Sequence, residues 1–290
     1  MRTFLLVLSF PIIAGNALAQ DDTDWPVYLG DSGRRHYSNL DQVTRENVDQ
    51  LEVAWVYDSG ELRGSRSTLY TSPLVINGVL YGLSPRLDAF ALDAATGDEL
   101  WRFEPGLNGA AQRGLMWWER GGETRIFYTA GSTLIALDPS SGTPVHSFGR
   151  NGRLDLTPRG DRTGYIGVTV PGIVFEDTLI LGFSTTEGTD AFPGSIRAFS
   201  ALDGTLAWQF DTIPPPGGPG SETWADGALE AAGGANVWTG MTLDEERGLL
   251  FAPTGSATPD FYGANRLGDN LYANSLLAID ARTGLLQWHY

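Results

Sequence analysis

One turn recurs four times along this chain, and no other feature limits the possible folds as much. Ala91-Leu92-Asp93-Ala94-Ala95-Thr96-Gly97 is followed at the fourth residue after the glycine by Trp101. The string returns as Ala136-Leu137-Asp138-Pro139-Ser140-Ser141-Gly142 with His146 in the tryptophan position, as Ala198-Phe199-Ser200-Ala201-Leu202-Asp203-Gly204 with Trp208, and as Ala278-Ile279-Asp280-Ala281-Arg282-Thr283-Gly284 with Trp288. The glycines lie 45, 62 and 80 residues apart, intervals that suit a unit of about 40–45 residues carrying loops of variable length.

Hairpins precede the turns. Residues 73–76 and 79–83 flank Asn77-Gly78, a pair that tolerates the positive φ angles of a two-residue hairpin. The pattern repeats with 172–175 and 179–183 around Glu176-Asp177, and with 241–243 and 249–252 around residues 244–248. Strand, tight turn, strand and capped turn make a four-stranded sheet of propeller-blade size. The expected class is therefore all-β, a β-propeller with about four blades, and repeats near 73–103, 126–148, 172–210 and 240–290. Within a blade the Asp caps its turn, the Gly takes a conformation other residues resist, and the Trp wedges against the next sheet. Helix is expected only around 43–51, ahead of an edge-like strand ending at Ala54-Trp55. Function should lie in the insertions.

Residues 1–19 read as a signal peptide: Arg2, an apolar run over 4–13, and the small-x-small string Ala17-Leu18-Ala19. The run is short of the ~20 residues of a membrane span, so residues 20–290 are expected to be exported to the periplasm without a transmembrane segment. The formal charge of −16 repels nucleic-acid backbones and anionic lipid. Cysteine is absent, and all 19 basic residues are arginine, which excludes disulfides, thiol nucleophiles, CxxCH haem attachment, Schiff-base lysines and Walker-type phosphate loops. His36, His146 and His289 are too scattered for a zinc site, so any metal would be held mainly by oxygen.

The repeats, together with Gly233-Gly234-Ala235-Asn236-Val237-Trp238 and the segment from Thr254-Gly255-Ser256 through Thr258-Pro259-Asp260 to Gly268-Asp269-Asn270, resemble the pyrroloquinoline quinone (PQQ) dependent dehydrogenases, the glucose-type branch in particular. That resemblance implies an eight-bladed propeller, of which this chain carries the N-terminal half, with PQQ and Ca²⁺ in a central funnel. It implies a periplasmic oxidoreductase acting on an alcohol or aldose CH–OH group and passing electrons to a quinone or cytochrome. A flat tricarboxylate quinone calls for positive charge, hydrogen-bond donors, a flat support and a hard cation.

By the same resemblance Arg113, in Arg113-Gly114, approaches the quinone and its carboxylates, and Trp238 forms the floor beneath the ring. Asn236 stands where relatives carry a hydroxyl residue; Ser184, Thr185 and Thr186 bind the cofactor's carboxylate; Thr129 faces it. Glu187 ligates Ca²⁺, and Ser256 falls where relatives place a metal-binding asparagine. Trp118 replaces a histidine of the glucose-type enzymes, Leu107-Asn108 replaces a vicinal cysteine pair, and Tyr70 replaces a cofactor-contacting glutamate. The general-base aspartate is expected beyond residue 290, so the chain alone is expected to show no turnover. The rival reading is a cofactor-free periplasmic propeller scaffold built from the same repeats.

Overall fold

A computed structural model describes residues 24–61, 68–110 and 112–290. The signal-peptide segment lies outside the described residues. Four sheets of four antiparallel strands follow one another along the chain, each a simple meander. Blade I comprises Leu74–Ile76, Val79–Leu83, Ala89–Asp93 and Glu99–Phe103; blade II, Met116–Arg120, Glu123–Ala130, Thr133–Leu137 and Arg153–Asp155. Blade III comprises Ile173–Phe175, Thr178–Leu181, Ile196–Ser200 and Leu206–Phe210; blade IV, Thr242–Asp244, Leu249–Pro253, Leu276–Asp280 and Leu286–His289. The β-propeller expectation holds.

Propeller blades have no polar face to spare, and the strands show why. In blade II, Leu134 and Ala136 pack toward blade III, while the alternating Ile135 and Leu137 pack toward blade I. A strand buried on both faces must be apolar at successive positions, which accounts for the continuous run at 134–137. Three cores result, one between each pair of neighbouring blades.

The recurrent turn does two jobs. Locally, Asp93 Oδ1 accepts the N–H groups of Ala95 and Thr96, both at 2.9 Å, and the Gly97 N–H returns to the Asp93 carbonyl at 2.8 Å. Asp138, Ser200 and Asp280 accept turn N–H groups in the same way. At long range, each turn is the seat for an aromatic ring from an earlier segment of the chain. Trp101 donates from Nε1 to the Pro139 carbonyl at 2.8 Å, with its ring over Gly142; Trp208 donates to the Ala281 carbonyl at 3.0 Å, with its ring over Gly284. A side chain at either glycine would collide with the indole.

Four expectations need correction. His146 does not fill the tryptophan position: it is exposed, and Phe148 is the ring that packs against Gly204. Residues 144–152 form turns instead of a strand, so the fourth strand of blade II moves to Arg153–Asp155, past the expected repeat end at 148. The helix expected at 43–51 shrinks to one 3-10 turn, Val48–Gln50. No strand forms around Ala54-Trp55, because nothing among the described residues pairs with that backbone. Trp55 nevertheless repeats the blade contact, donating to the Ala94 carbonyl at 3.2 Å with its ring against Gly97. The sequence reading missed the short helix Ala228–Ala231, which covers a small alanine-rich core with Trp224.

An N-terminal segment laces the first strands together. Trp25 exchanges both backbone hydrogen bonds with Val75 of blade I, and the Ser32 carbonyl accepts from Leu243 of blade IV. Between them Arg34 donates to the carbonyls of Tyr28, Pro171, Gly172 and Met241 at 2.6–3.2 Å. Burial without a carboxylate partner lowers its pKa to about 10, but four carbonyl dipoles hold the charge in place.

Candidate cofactor site

The meander sorts the loops by end. Asp–Gly turns and first hairpins lie at one end of every blade; the segments entering first strands and those leaving second strands lie at the other. Every candidate residue falls at that second end: Arg113 ahead of blade II, Thr129 at the end of its second strand, Ser184 to Glu187 after the second strand of blade III, Asn236 and Trp238 ahead of blade IV, and Ser256 after its second strand. Turn chemistry thus builds one end and leaves the other free for function.

A chain of contacts joins them. The Arg113 N–H donates to the Thr169 carbonyl at 3.1 Å, and the hydroxyls of Thr169 and Ser184 lie 3.0 Å apart. Asn236 Nδ2 donates to the carbonyl of Phe183 at 2.8 Å, and the Gly255 N–H donates to the Asn236 carbonyl at 3.0 Å. Gly255 in turn lies against the edge of the Trp238 indole, within van der Waals reach of Nε1. Arg113, Ser184, Asn236 and Trp238 therefore belong to one continuous rim across blades II, III and IV.

Exposure distinguishes the residues on this rim. Trp238 is 51% exposed, whereas Trp208 at a blade junction is 8% exposed. An indole left half open at a loop cluster gives a flat apolar surface with no partner of its own. Arg113 makes no hydrogen bond through its guanidinium among the described residues; Tyr70 lies beneath it, 5.8 Å from the ring centroid. The ring faces the cation, and Arg113 forms no ion pair among the described residues. Thr129, by contrast, is enclosed, its hydroxyl donating to the Val168 carbonyl at 2.7 Å with Gln112 Oε1 at 3.2 Å. Thr186 donates to Asp190 at 3.3 Å. Trp118, where the glucose-type histidine would stand, is buried between blades and points its Nε1 to Asp177.

The two residues assigned to a cation differ in availability. Glu187 is exposed, and its carboxylate forms no hydrogen bond or ion pair among the described residues. The Ser256 hydroxyl donates to Asn274 Oδ1 at 3.2 Å. Asp260, which the sequence reading did not single out, meets Glu187: its N–H donates to the Glu187 carbonyl at 3.2 Å. Burial and then the Glu187 charge raise the Asp260 pKa, against a smaller opposing effect of Arg266. The donors here are all oxygens, which suits a hard cation and excludes a soft one. No group of three or more His, Asp or Glu side chains able to hold a metal occurs among the described residues. Gln112 and Thr169 also escaped the sequence reading, for neither lies in a recurring motif.

Comparison with known proteins matches residues 25–290 to the model of the PQQ-type glucose/ethanol/alcohol dehydrogenase β-propeller domain. The chain is 30% identical to quinoprotein glucose dehydrogenase A of Acinetobacter calcoaceticus, over 93% of its own length and 38% of the relative's. It is 31% identical to the dehydrogenase subunit of alcohol dehydrogenase (quinone) of Gluconobacter oxydans, over 98% of its length and 41% of the relative's. The crystal structure of quinohemoprotein alcohol dehydrogenase from Comamonas testosteroni superposes with a TM-score of 0.79 at 28% identity, covering 92% of this chain and 41% of that one. The chain thus spans about two fifths of the length of these relatives.

Proposed function

The chain belongs to the PQQ-type glucose/ethanol/alcohol dehydrogenase β-propeller family, and from that premise we propose that it provides the cofactor-binding rim of an oxidoreductase acting on the CH–OH group of an alcohol or an aldose. Bound there, PQQ would supply the two-electron acceptor. The observation that carries this reading is the pairing, on one hydrogen-bonded rim, of a half-open Trp238 indole with an Arg113 guanidinium that forms no ion pair among the described residues.

Each residue's task follows from its surroundings. Trp238 offers a flat face for a conjugated ring. Arg113 supplies local positive charge, which a tricarboxylate needs near a chain of net charge −16. Ser184 offers a hydroxyl fixed by Thr169, and Thr185 extends the same loop, while the Thr186 hydroxyl is directed to Asp190. Asn236 anchors the blade III loop through its amide and so sets the height of Trp238 relative to Ser184. Glu187 would hold Ca²⁺ beside the ring, where a cation polarises a carbonyl oxygen. Export to the periplasm is supported by residues 1–19, and electron transfer to a quinone or cytochrome by the quinone- and haem-linked relatives.

Quenching of tryptophan fluorescence by added PQQ, with Ca²⁺ present, tests this directly. Saturable quenching is expected for the wild type, with at least a tenfold loss of affinity in W238A and R113A. Equal quenching in W238A would remove Trp238 from the site. No PQQ binding by the wild type would sink the reading and favour the cofactor-free scaffold.

A further inference from the structure

We propose that the cleft between the outer strands of blades II and III binds a polyhydroxy carboxylate, a sugar acid of the aldonate class, with its carboxylate on Arg197. The site lies apart from the cofactor rim and does not rest on that reading.

The cleft has a structural origin. The outer strand of blade II, Arg153–Asp155, is three residues long, whereas that of blade III, Leu206–Phe210, is five. Past Asp155 the chain leaves the sheet, and part of the facing blade III sheet is left uncovered. A cavity of about 790 Å³ opens there, lined by residues 155–162 on one side and by Arg197, Phe199, Leu206 and Gln209 on the other. Its size falls within the ~300–1,000 Å³ of small-molecule sites.

Arg197 is the reason for a carboxylate. It is 9% exposed, yet it forms no ion pair among the described residues, and arginine is seldom buried unpaired. Phe183 lies against one face of the guanidinium, 4.0 Å from Cζ to the ring centroid, and Nη2 donates to the Leu156 carbonyl at 2.7 Å. Nε and Nη1 have no acceptor among the described residues. A planar cation is thus held in one orientation with donors free on the cavity side, which is the geometry a carboxylate fits. Burial lowers the Arg197 pKa to about 10, against a smaller opposing effect of Asp155, which lies beyond ion-pair distance.

The rest of the lining is the reason for hydroxyls. Gln209 stands opposite Arg197 in the strand ladder, so both side chains lie on the same face of the sheet. Asp211 Oδ1 accepts from the Ser195 hydroxyl at 3.0 Å and from Gln209 Nε2 at 2.6 Å, which leaves Asp211 Oδ2 and Gln209 Oε1 without donors among the described residues. Asp155 accepts the Thr157 N–H at 2.9 Å, and Asp161 has no partner among the described residues. These oxygens repel an ion that offers charge alone but accept the O–H groups of a polyol. Arg162 cannot serve as a second anion contact, because its donors go to the carbonyls of Ala191, Glu230, Ala231 and Ala232 at 2.6–3.3 Å. One free buried cation among several free acceptors matches a ligand with one carboxylate and several hydroxyls.

The test is isothermal titration with sodium gluconate in the absence of PQQ, with circular dichroism as the fold control. Glucose supplies hydroxyls without a carboxylate, and hexanoate a carboxylate without hydroxyls. Expected are saturable gluconate binding by the wild type, at least tenfold weaker binding of glucose and of hexanoate, and at least a tenfold loss of gluconate affinity in R197M. D211N should weaken gluconate at least threefold, and W238A, on the cofactor rim, should change it less than twofold. The proposal is overturned by an absence of gluconate binding, by glucose or hexanoate binding as tightly as gluconate, or by unchanged affinity in R197M or D211N. A tenfold loss in W238A would move the ligand to the cofactor rim and overturn it as well. Should R197M not fold, L206W fills the cleft from an exposed strand position; at least a tenfold loss is expected, and an unchanged affinity overturns the proposal.

Discussion

Replacing Gly142 by alanine isolates the contact on which the blade stack depends. Gly142 has φ +68°, and a Cβ built there lies 2.5 Å from Trp101 Cε3, about 1 Å inside ordinary contact. Gly78, in the blade I hairpin, has nearly the same backbone, φ +77°, with nothing within 4 Å of its Cβ position. A left-handed conformation costs a non-glycine residue roughly 1–2 kcal/mol, so both substitutions carry that term. Overpacking costs roughly 1–3 kcal/mol more, and it applies to Gly142 alone. Displacing the indole would also disturb the Trp101 hydrogen bond to Pro139, worth about 1 kcal/mol. The expected losses are therefore about 1–2 kcal/mol for G78A and about 3–6 kcal/mol for G142A. Gly204, whose nearest neighbour is Phe148 at 3.2 Å, should fall between them. Equilibrium urea unfolding, followed by tryptophan fluorescence and circular dichroism, reads the midpoint shifts. Equal shifts for G78A and G142A would refute the claim that the turn glycine is required by the ring seated on it.

Three further outcomes follow from the same contacts. R34M should destabilise the chain by about 2–3 kcal/mol, since four carbonyls lose a charged donor; a change below about 0.5 kcal/mol in thermal or urea unfolding would contradict the strap. W208F keeps a ring over Gly284 but deletes the donor to the Ala281 carbonyl, and should cost about 1 kcal/mol together with any loss of packing area; a neutral result in urea unfolding would assign the junction to packing alone. In acid, stability should fall with a contribution from the turn aspartates. The Asp93 carboxyl is held below its ordinary value by the Thr96 and then Ala95 N–H groups, and Asp138 by the Ser140 hydroxyl first; in Asp280 the hydrogen bonds from Thr283 and Arg282 outweigh burial, which raises it. A depressed folded-state pKa contributes stability that is full above the unfolded value of about 4 and is lost as pH falls through the lower folded value. Midpoints measured from pH 5 to 2 should drop less steeply when the three are changed to asparagine; an unchanged slope would show that the turns do not titrate with folding.

Local chemistry was legible from the amino acids alone. An Asp that accepts two N–H groups within three residues, a Gly that must take positive φ, and an Asn77-Gly78 hairpin all act over four or five positions, so their strings announce sheet, turn and repeat without reference to the rest of the chain. Apolar runs such as 134–137 announce strands buried on both faces, and the repeat spacing announces a stack. Arg113, Trp238 and the 184–187 loop were singled out by their resemblance to motifs of the PQQ-dependent dehydrogenases. Their joining was not. Which ring seats on which glycine depends on residues 38 to 73 positions apart, as with Trp101 to Pro139 and Trp208 to Ala281. Phe148 could take the place of His146 because residues 144–152 fold into turns that deliver a different ring to Gly204. Trp55 could make the blade contact with no strand around it, since one indole and one carbonyl suffice. Asp260 reaches Glu187, and Arg34 reaches Pro171 and Met241, only because stacked sheets bring separate loops to the same end. Turn propensities fix where each loop begins; the packing of whole sheets fixes which loops meet, and that distance is written in no local string.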